Sequence, residues 1–322
     1  MKLKDIQAPI SAELDDFRAY FRTAMRNDVR LLDLIVQYLL RQKGKQLRPT
    51  LVLLSAKAAG QVGESTFRGA ALVELLHTAT LVHDDVVDDA DRRRGVFSIN
   101  ALWKNKIAVL LGDFLLSRGL LMALDTKEYA LLHVVSDAVR RMSEGELLQI
   151  EKARKLNIDE ETYFRIISDK TASLLSACTR CGAVSVGAPE ETVERLSRFG
   201  ESLGIAFQIR DDLFDFGAND VGKPLGIDIK EKKMTLPLIH ALRHASASDR
   251  RSILRMMRSD SKSPKDLETI LSFVRNSGGL EYATEEMNRH ASLAREELLE
   301  LPESEARNAL DNLVTFTINR AK

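Results

Sequence analysis

Cysteine is almost absent, with Cys178 and Cys181 the only two in 322 residues. One pair three positions apart cannot make the disulfide framework of a small secreted scaffold, and it lacks the second cysteine pair of a structural zinc site. No apolar signal-peptide core follows Met1, so a cytoplasmic location is expected. Neither sign of charge dominates: Lys plus Arg and Asp plus Glu each number 47, for a net charge of zero. That excludes the basic footprint of a nucleic-acid coat. Proline (7) and glycine (17) are scarce and fall between periodic segments, and alternating period-2 runs are nearly missing. The most apolar stretch, Val109 to Leu124, is interrupted by Gly112, Asp113 and Arg118, short of ~18 uncharged residues, so no transmembrane helix is expected. A Ser-His-Asp or Cys-His arrangement for nucleophilic catalysis is missing too.

What is present is helical. With 44% hydrophobic and 29% charged residues the chain can bury a large core. Between Ser65 and Asp89, Leu72, Leu75, Ala79, Val82 and Val86 recur at three- and four-residue steps, the spacing of one helix face. Similar patterns run roughly from Ser11 to Met25, Val29 to Gln42, Pro49 to Ala59, Lys106 to Leu124, Glu128 to Lys155, Asp159 to Gly182, Pro189 to Phe216 and Met234 to His244. Short loops and the lack of a low-complexity linker favour an all-α fold in a single domain, 1–322, over two domains.

Two of these helices end in acid. Five aspartates occupy positions 84, 85, 88, 89 and 91, where the helix macrodipole is already negative and like charges one turn apart repel. Asp84 and Asp88, at i and i+4, present hard oxygen ligands on one side, flanked by Asp85. Asp211, Asp212 and Asp215 repeat the spacing on a second helix. Mg²⁺ favours one or two carboxylates completed by phosphate oxygens and water, so such a pair of ridges suits a metal-diphosphate cluster. A solvated acidic face is the bland alternative for either motif alone.

Basic residues lie nearby in sequence. Lys45 and Arg48 precede Pro49, which is expected at the first helical position, and a helix start with free amides and two cations suits a phosphate. Arg92, Arg93 and Arg94 follow the first acidic motif, either to neutralise it or to grip a second diphosphate. His77 sits two turns before Asp84; a lone histidine on a helix is more often structural. Lys170, Thr171, Gln208, Lys223 and Lys233 are individually weak signals.

The segment His77 to Gly95 resembles the first aspartate-rich motif of the trans-isoprenyl diphosphate synthases, or polyprenyl synthetases. Phe207 to Asp215 resembles the second motif, and Gly44 to Pro49 the isopentenyl diphosphate site. The match continues through Gly222-Lys223-Pro224 and Lys233 to Pro237, in the right order over most of the chain. It departs at Lys43 and Lys232, where the family often has glycine.

The resemblance implies a helical bundle around a central cavity, a homodimer, and three Mg²⁺ ions held chiefly by Asp84, Asp88 and Asp211, with Asp85, Asp212 and Asp215 in support. Lys170, Lys223 and Arg93, with Lys233 as a further candidate, would hold an allylic diphosphate. Lys45, Arg48, His77 and Arg94 would hold isopentenyl diphosphate. Ionisation of the allylic donor then needs no protein nucleophile, and the side-chain oxygens of Thr171 and Gln208 can favour the allylic cation.

Ala79 and Thr80, just upstream of Asp84, are too small to block a product tunnel at the first turn. At ~5.4 Å of helix per isoprene unit, a product of roughly six to eight units is expected, of the kind used for quinone side chains, with at most transient membrane contact. A shorter-chain synthase, a class I terpene cyclase, a non-catalytic subunit of a heteromeric synthase and a ligand-free helical scaffold are the alternatives. The cyclase has no use for a second diphosphate site.

Overall fold

The computed structural model describes residues 2–41, 44–93, 96–217, 225–259 and 261–319. The chain divides into two compact units that alternate along the sequence. One comprises Met1–Val139, Ala177–Ser197 and Leu301–Leu310, the other Arg140–Ser176, Arg198–Glu300 and Asp311–Lys322. Neither is a contiguous stretch that could be cut out as a terminal domain. Both are built from helices; the strand pairing seen among the described residues is a two-residue antiparallel match of Arg92–Arg93 with Val96–Phe97.

In the first unit the helix Glu64–Val87 runs through the core, packed against Ile99–Asp125, Leu47–Ala59 and Ser11–Ala24. It is apolar almost all round: Leu72, Leu75, Ala79 and Val82 are buried, as an interior rather than a surface helix requires. Its end is set by acid. Asp88 closes the last turn and Asp89 adopts φ 49°, a left-handed conformation that Asp tolerates better than most residues.

The helix Ile99–Asp125 starts at Ser98, whose hydroxyl accepts the Ala101 N–H, and is interrupted at Lys104 (φ 71°). By length and composition alone it is apolar enough to cross a membrane, a length that the reading of Val109 to Leu124 did not anticipate. The helix extends to Ile99, and two charges within an otherwise apolar 18-residue span do not disqualify it. Only a third of that span is buried, and Val109, Leu110, Leu120, Leu121 and Leu124 are exposed.

In the second unit the helix Glu190–Asp215 carries Ala206, Ile209 and Leu213 into a core shared with Ile166, Ile167, Leu238 and Met287. The pattern expected as one helix from Asp159 to Gly182 is broken in the middle. Glu160–Ile167, capped by Asp159, gives way to a π-helical turn over Ser168–Ala172 before Ser173–Ser185 resumes. Two glycines make room for that turn. A Cβ on Gly204 would stand 2.5 Å from Ala172 Cα, and one on Gly145 would stand 2.7 Å from the Lys170 amide nitrogen. Widened turns of this kind concentrate at functional sites.

Candidate active site

In the first unit the acidic helix end borders a cavity of about 540 Å³ lined by Gly44, Gln46, Glu74, His77, Leu81 and Asp85 among others. His77 and Asp85 are buried, while Asp84 and Asp88 are exposed at the helix end. The wall is thus the face carrying residues 74, 77, 78, 81 and 85, at three- and four-residue steps. Ala79 is fully buried in the cluster that holds Leu75, Val82, Leu111 and Leu115, and Thr80 turns its hydroxyl back to the His77 carbonyl. Neither is among the described residues lining this cavity.

The basic loop is held from outside. Gln46, at φ 50°, precedes the helix Leu47–Ala59 and accepts from Arg18 Nε at 2.8 Å; Gln7 Nε2 donates to Thr50 Oγ1 at 2.8 Å. Pro49 therefore occupies the third helical position, not the first. This too is tolerated, because first-turn amides have no partner inside the helix. Lys45 is exposed and Arg48 half-buried beside the cavity residues Gly44, Gln46 and Pro49. Arg92 lies over the Phe97 ring. Arg94 and the side chain of Arg93 lie outside the described residues, as does Lys223.

The second unit brings seven of the expected residues to one cavity of about 340 Å³: Lys170, Thr171, Gln208, Asp211, Asp212, Asp215 and Lys233. They do not act alike. Asp212 is buried and fully engaged, accepting from Tyr163 OH at 2.7 Å and from Gln208 Nε2 at 2.9 Å. Burial pushes its carboxyl up to about 7 even though both hydrogen bonds pull the other way. Thr171 Oγ1 donates to Gln208 Oε1 at 2.9 Å, so one chain of bonds runs from the π turn to Tyr163.

Asp215 accepts the amides of Ile227 (2.7 Å) and Asp228 (3.1 Å), anchoring the loop that returns after the motif. Burial raises it, against those two bonds. Asp211 and Asp215 therefore do not form a matched pair of open carboxylates. Half-buried Asp211 lines the same cavity and offers a hard oxygen donor, which suits Mg²⁺ completed by phosphate oxygens. The exposed pair Asp84 and Asp88 offers the same hard donors one turn apart. Among the described residues no group of three His, Cys, Asp or Glu side chains could hold a metal alone.

Both lysines are paired. Lys170 Nζ meets the Glu146 carboxylate and donates to Gln149 Oε1 at 3.3 Å; Lys233 Nζ lies 2.6 Å from Glu231 and 3.7 Å from Asp228. Burial depresses Lys233, but the bond to Glu231 and the nearby carboxylates outweigh it and hold the ammonium above its ordinary value.

Sequence reasoning missed Tyr163, Asp228 and Thr235, all of which line this cavity. Asp228 is pushed up to about 6, chiefly by burial and then by Asp215. Tyr163 had no motif to mark it; Asp228 lay within the matched stretch between Gly222 and Pro237 and could have been found there.

A helical fold among the described residues, with two acid-tipped helices and a lysine-lined cavity, has the parts that an isoprenoid synthase needs. Residues 29–274 match the polyprenyl synthetase family model. The octaprenyl diphosphate synthase of Escherichia coli K12 is 35% identical over 322 residues, with 99% of each chain covered. A decaprenyl diphosphate synthase structure from Rhodobacter capsulatus superposes with a TM-score of 0.94 at 35% identity, covering 100% of both chains. A Caulobacter crescentus polyprenyl synthase, solved with calcium and isoprenyl diphosphate, gives 0.90 at 31% identity, covering 100% of this chain and 98% of that one. The chain belongs to the polyprenyl synthetase family.

Proposed function

We propose that this chain is a trans-polyprenyl diphosphate synthase that condenses an allylic diphosphate with isopentenyl diphosphate repeatedly, to a product of roughly C30 to C40. The observation that carries the reading is the gathering of Lys170, Thr171, Gln208, Asp211 and Lys233 on one cavity. Relatives named for long-chain products across the full length of the chain support the product class.

Asp84, Asp88 and Asp211 would hold Mg²⁺, three ions in all, and the metal supplies Lewis-acid charge that favours departure of the diphosphate. Lys170 and Lys233, with Lys223 and Arg93, bind the allylic diphosphate and stabilise the charge that develops as its C–O bond breaks. The side-chain oxygens of Thr171 and Gln208, on the same cavity, would favour the allylic cation. Lys45, Arg48, His77 and Arg94 hold isopentenyl diphosphate, whose double bond attacks that carbon. The proton lost from the new chain goes to the departed diphosphate, so no side chain is needed as base.

The exposed leucine face of the helix Ile99–Asp125 fits pairing with a second copy. Burial pushes the Cys178 thiol up to about 12, leaving it inert.

The test is incubation of the purified chain with Mg²⁺, labelled isopentenyl diphosphate and a panel of allylic primers, followed by chromatography of the dephosphorylated products. Long-chain alcohols are expected, and Asp84→Ala or Asp211→Ala abolishes them. A predominant C15 or C20 alcohol overturns the product length. Absence of turnover by the chain alone overturns the self-sufficient enzyme in favour of a subunit of a heteromeric one.

A further inference from the structure

An acid stands where the proposed function needs an anion to bind. Glu146 lies on the helix Tyr129–Lys155, three residues before Gln149 on the same face, and Gln149 lines the cavity. Its carboxylate is ion-paired with Lys170, the pair being a little over one third exposed, and its charge also acts on Lys233. An ammonium beside an open cavity is steadied by the carboxylate that meets it, as Glu146 meets Lys170. A diphosphate arriving at the same lysines meets a carboxylate already in contact with one of them. Both facts follow from one side chain.

Resting on the functional reading above, we propose that Glu146 is a positioning residue, a resident counter-ion that holds Lys170 and is displaced by the diphosphate of the allylic substrate. It thereby sets the affinity for that substrate without touching it. Glu231 partners Lys233 in the same way, while Glu146 is the carboxylate in contact with Lys170.

A half-exposed pair of this kind is worth a few-fold in binding. Removing its charge also removes the repulsion of the incoming anion. Glu146→Gln keeps the length and an acceptor oxygen for Lys170 while deleting the charge; Glu146→Ala serves as the second variant. Binding of inorganic diphosphate with Mg²⁺ to the full-length chain is measured by calorimetry, and the KM of each substrate by steady-state kinetics. The expectation is about two- to ten-fold tighter diphosphate binding in both variants, and a lower KM for the allylic diphosphate with the KM for isopentenyl diphosphate unmoved. A general effect on folding would shift both KM values together and overturns the proposal. So does weaker or unchanged diphosphate binding in the variants while the parent chain binds. A parent chain that fails to bind diphosphate with Mg²⁺ refutes the functional reading itself.

Discussion

Tyr163 donates its hydroxyl to Asp212 Oδ2 across 2.7 Å, and each residue is only 4% exposed. The bond ties the helix Glu160–Ile167 to the second acidic motif, and with the Gln208 amide it gives each Asp212 oxygen a hydrogen bond. Tyr163→Phe strips one of two donors from a buried carboxyl, which costs about 1–3 kcal/mol. A fall in the urea midpoint of that order is expected, and an unchanged midpoint contradicts it.

Acidity should matter to the metal-free protein through Asp212 and Asp228. Burial raises them to about 7 and about 6, well above the ~3.9 of an unfolded aspartate. Groups raised on folding bind extra protons in the native state. Their stabilisation is therefore complete below about pH 4 and lost as pH climbs through 6 and 7. His290 works oppositely: burial lowers it to about 4, so its contribution is lost as pH falls from about 6.5. The informative quantity is the difference between the parent chain and Asp212→Asn, which should favour the variant by a few kcal/mol at pH 8 and vanish near pH 4. A difference independent of pH refutes this.

Gly204→Ala is expected to disturb the π turn. The new methyl falls 2.5 Å from Ala172 Cα, and backbone cannot yield as a side-chain tip does. A loss of about 1–3 kcal/mol follows, together with a raised KM for the allylic substrate as Lys170 and Thr171 shift. Gly63→Ala, with nothing within 4 Å of the added carbon, is the control and should be near neutral. Equal behaviour of the two variants would falsify the clamp.

Lys232 holds φ 59° just before Lys233, at a position where a glycine would be unstrained. Replacing it by alanine keeps the strain and replacing it by glycine releases it. Lys232→Gly should therefore be more stable than Lys232→Ala by about 1 kcal/mol, the reverse of the usual order in helices. Calorimetric melting of the two variants decides it.

Ala79→Tyr is expected to shorten the product. Ala79 is fully buried beside Leu75 and Val82, so the added ring must take space from whatever passes that helix face. The readout is the chain length of the alcohols released from the diphosphates. An unaltered distribution in a folded variant removes Ala79 from the tunnel.

Helix positions were largely legible because the period of three to four residues survives in every long segment. Glu64–Val87, Tyr129–Lys155 and Glu190–Asp215 lie within one or two residues of expectation. The π turn at Ser168–Ala172 was not legible, because its cause lies in Gly145 and Gly204, far away in sequence. The start of the helix Ile99–Asp125 was hidden by its interruption at Lys104. Motif residues were found as a set, but their division of labour was not. Asp212 and Asp215 look alike in sequence, and only their hydrogen bonds show that the first is held by Tyr163 and Gln208 and the second by the amides of Ile227 and Asp228. Glu146 reads as one more charge on an exposed helix until Lys170 is found against it.

Val109 and Leu120, like Leu110 and Leu121, are 11 residues apart and Leu110 and Leu124 are 14 apart, near whole numbers of helical turns, so the five make one greasy stripe on the helix Ile99–Asp125. If two molecules zip along that stripe, dilution becomes a denaturant. The melting temperature then climbs with protein concentration, and substitutions on the exposed side of that stripe flatten the climb.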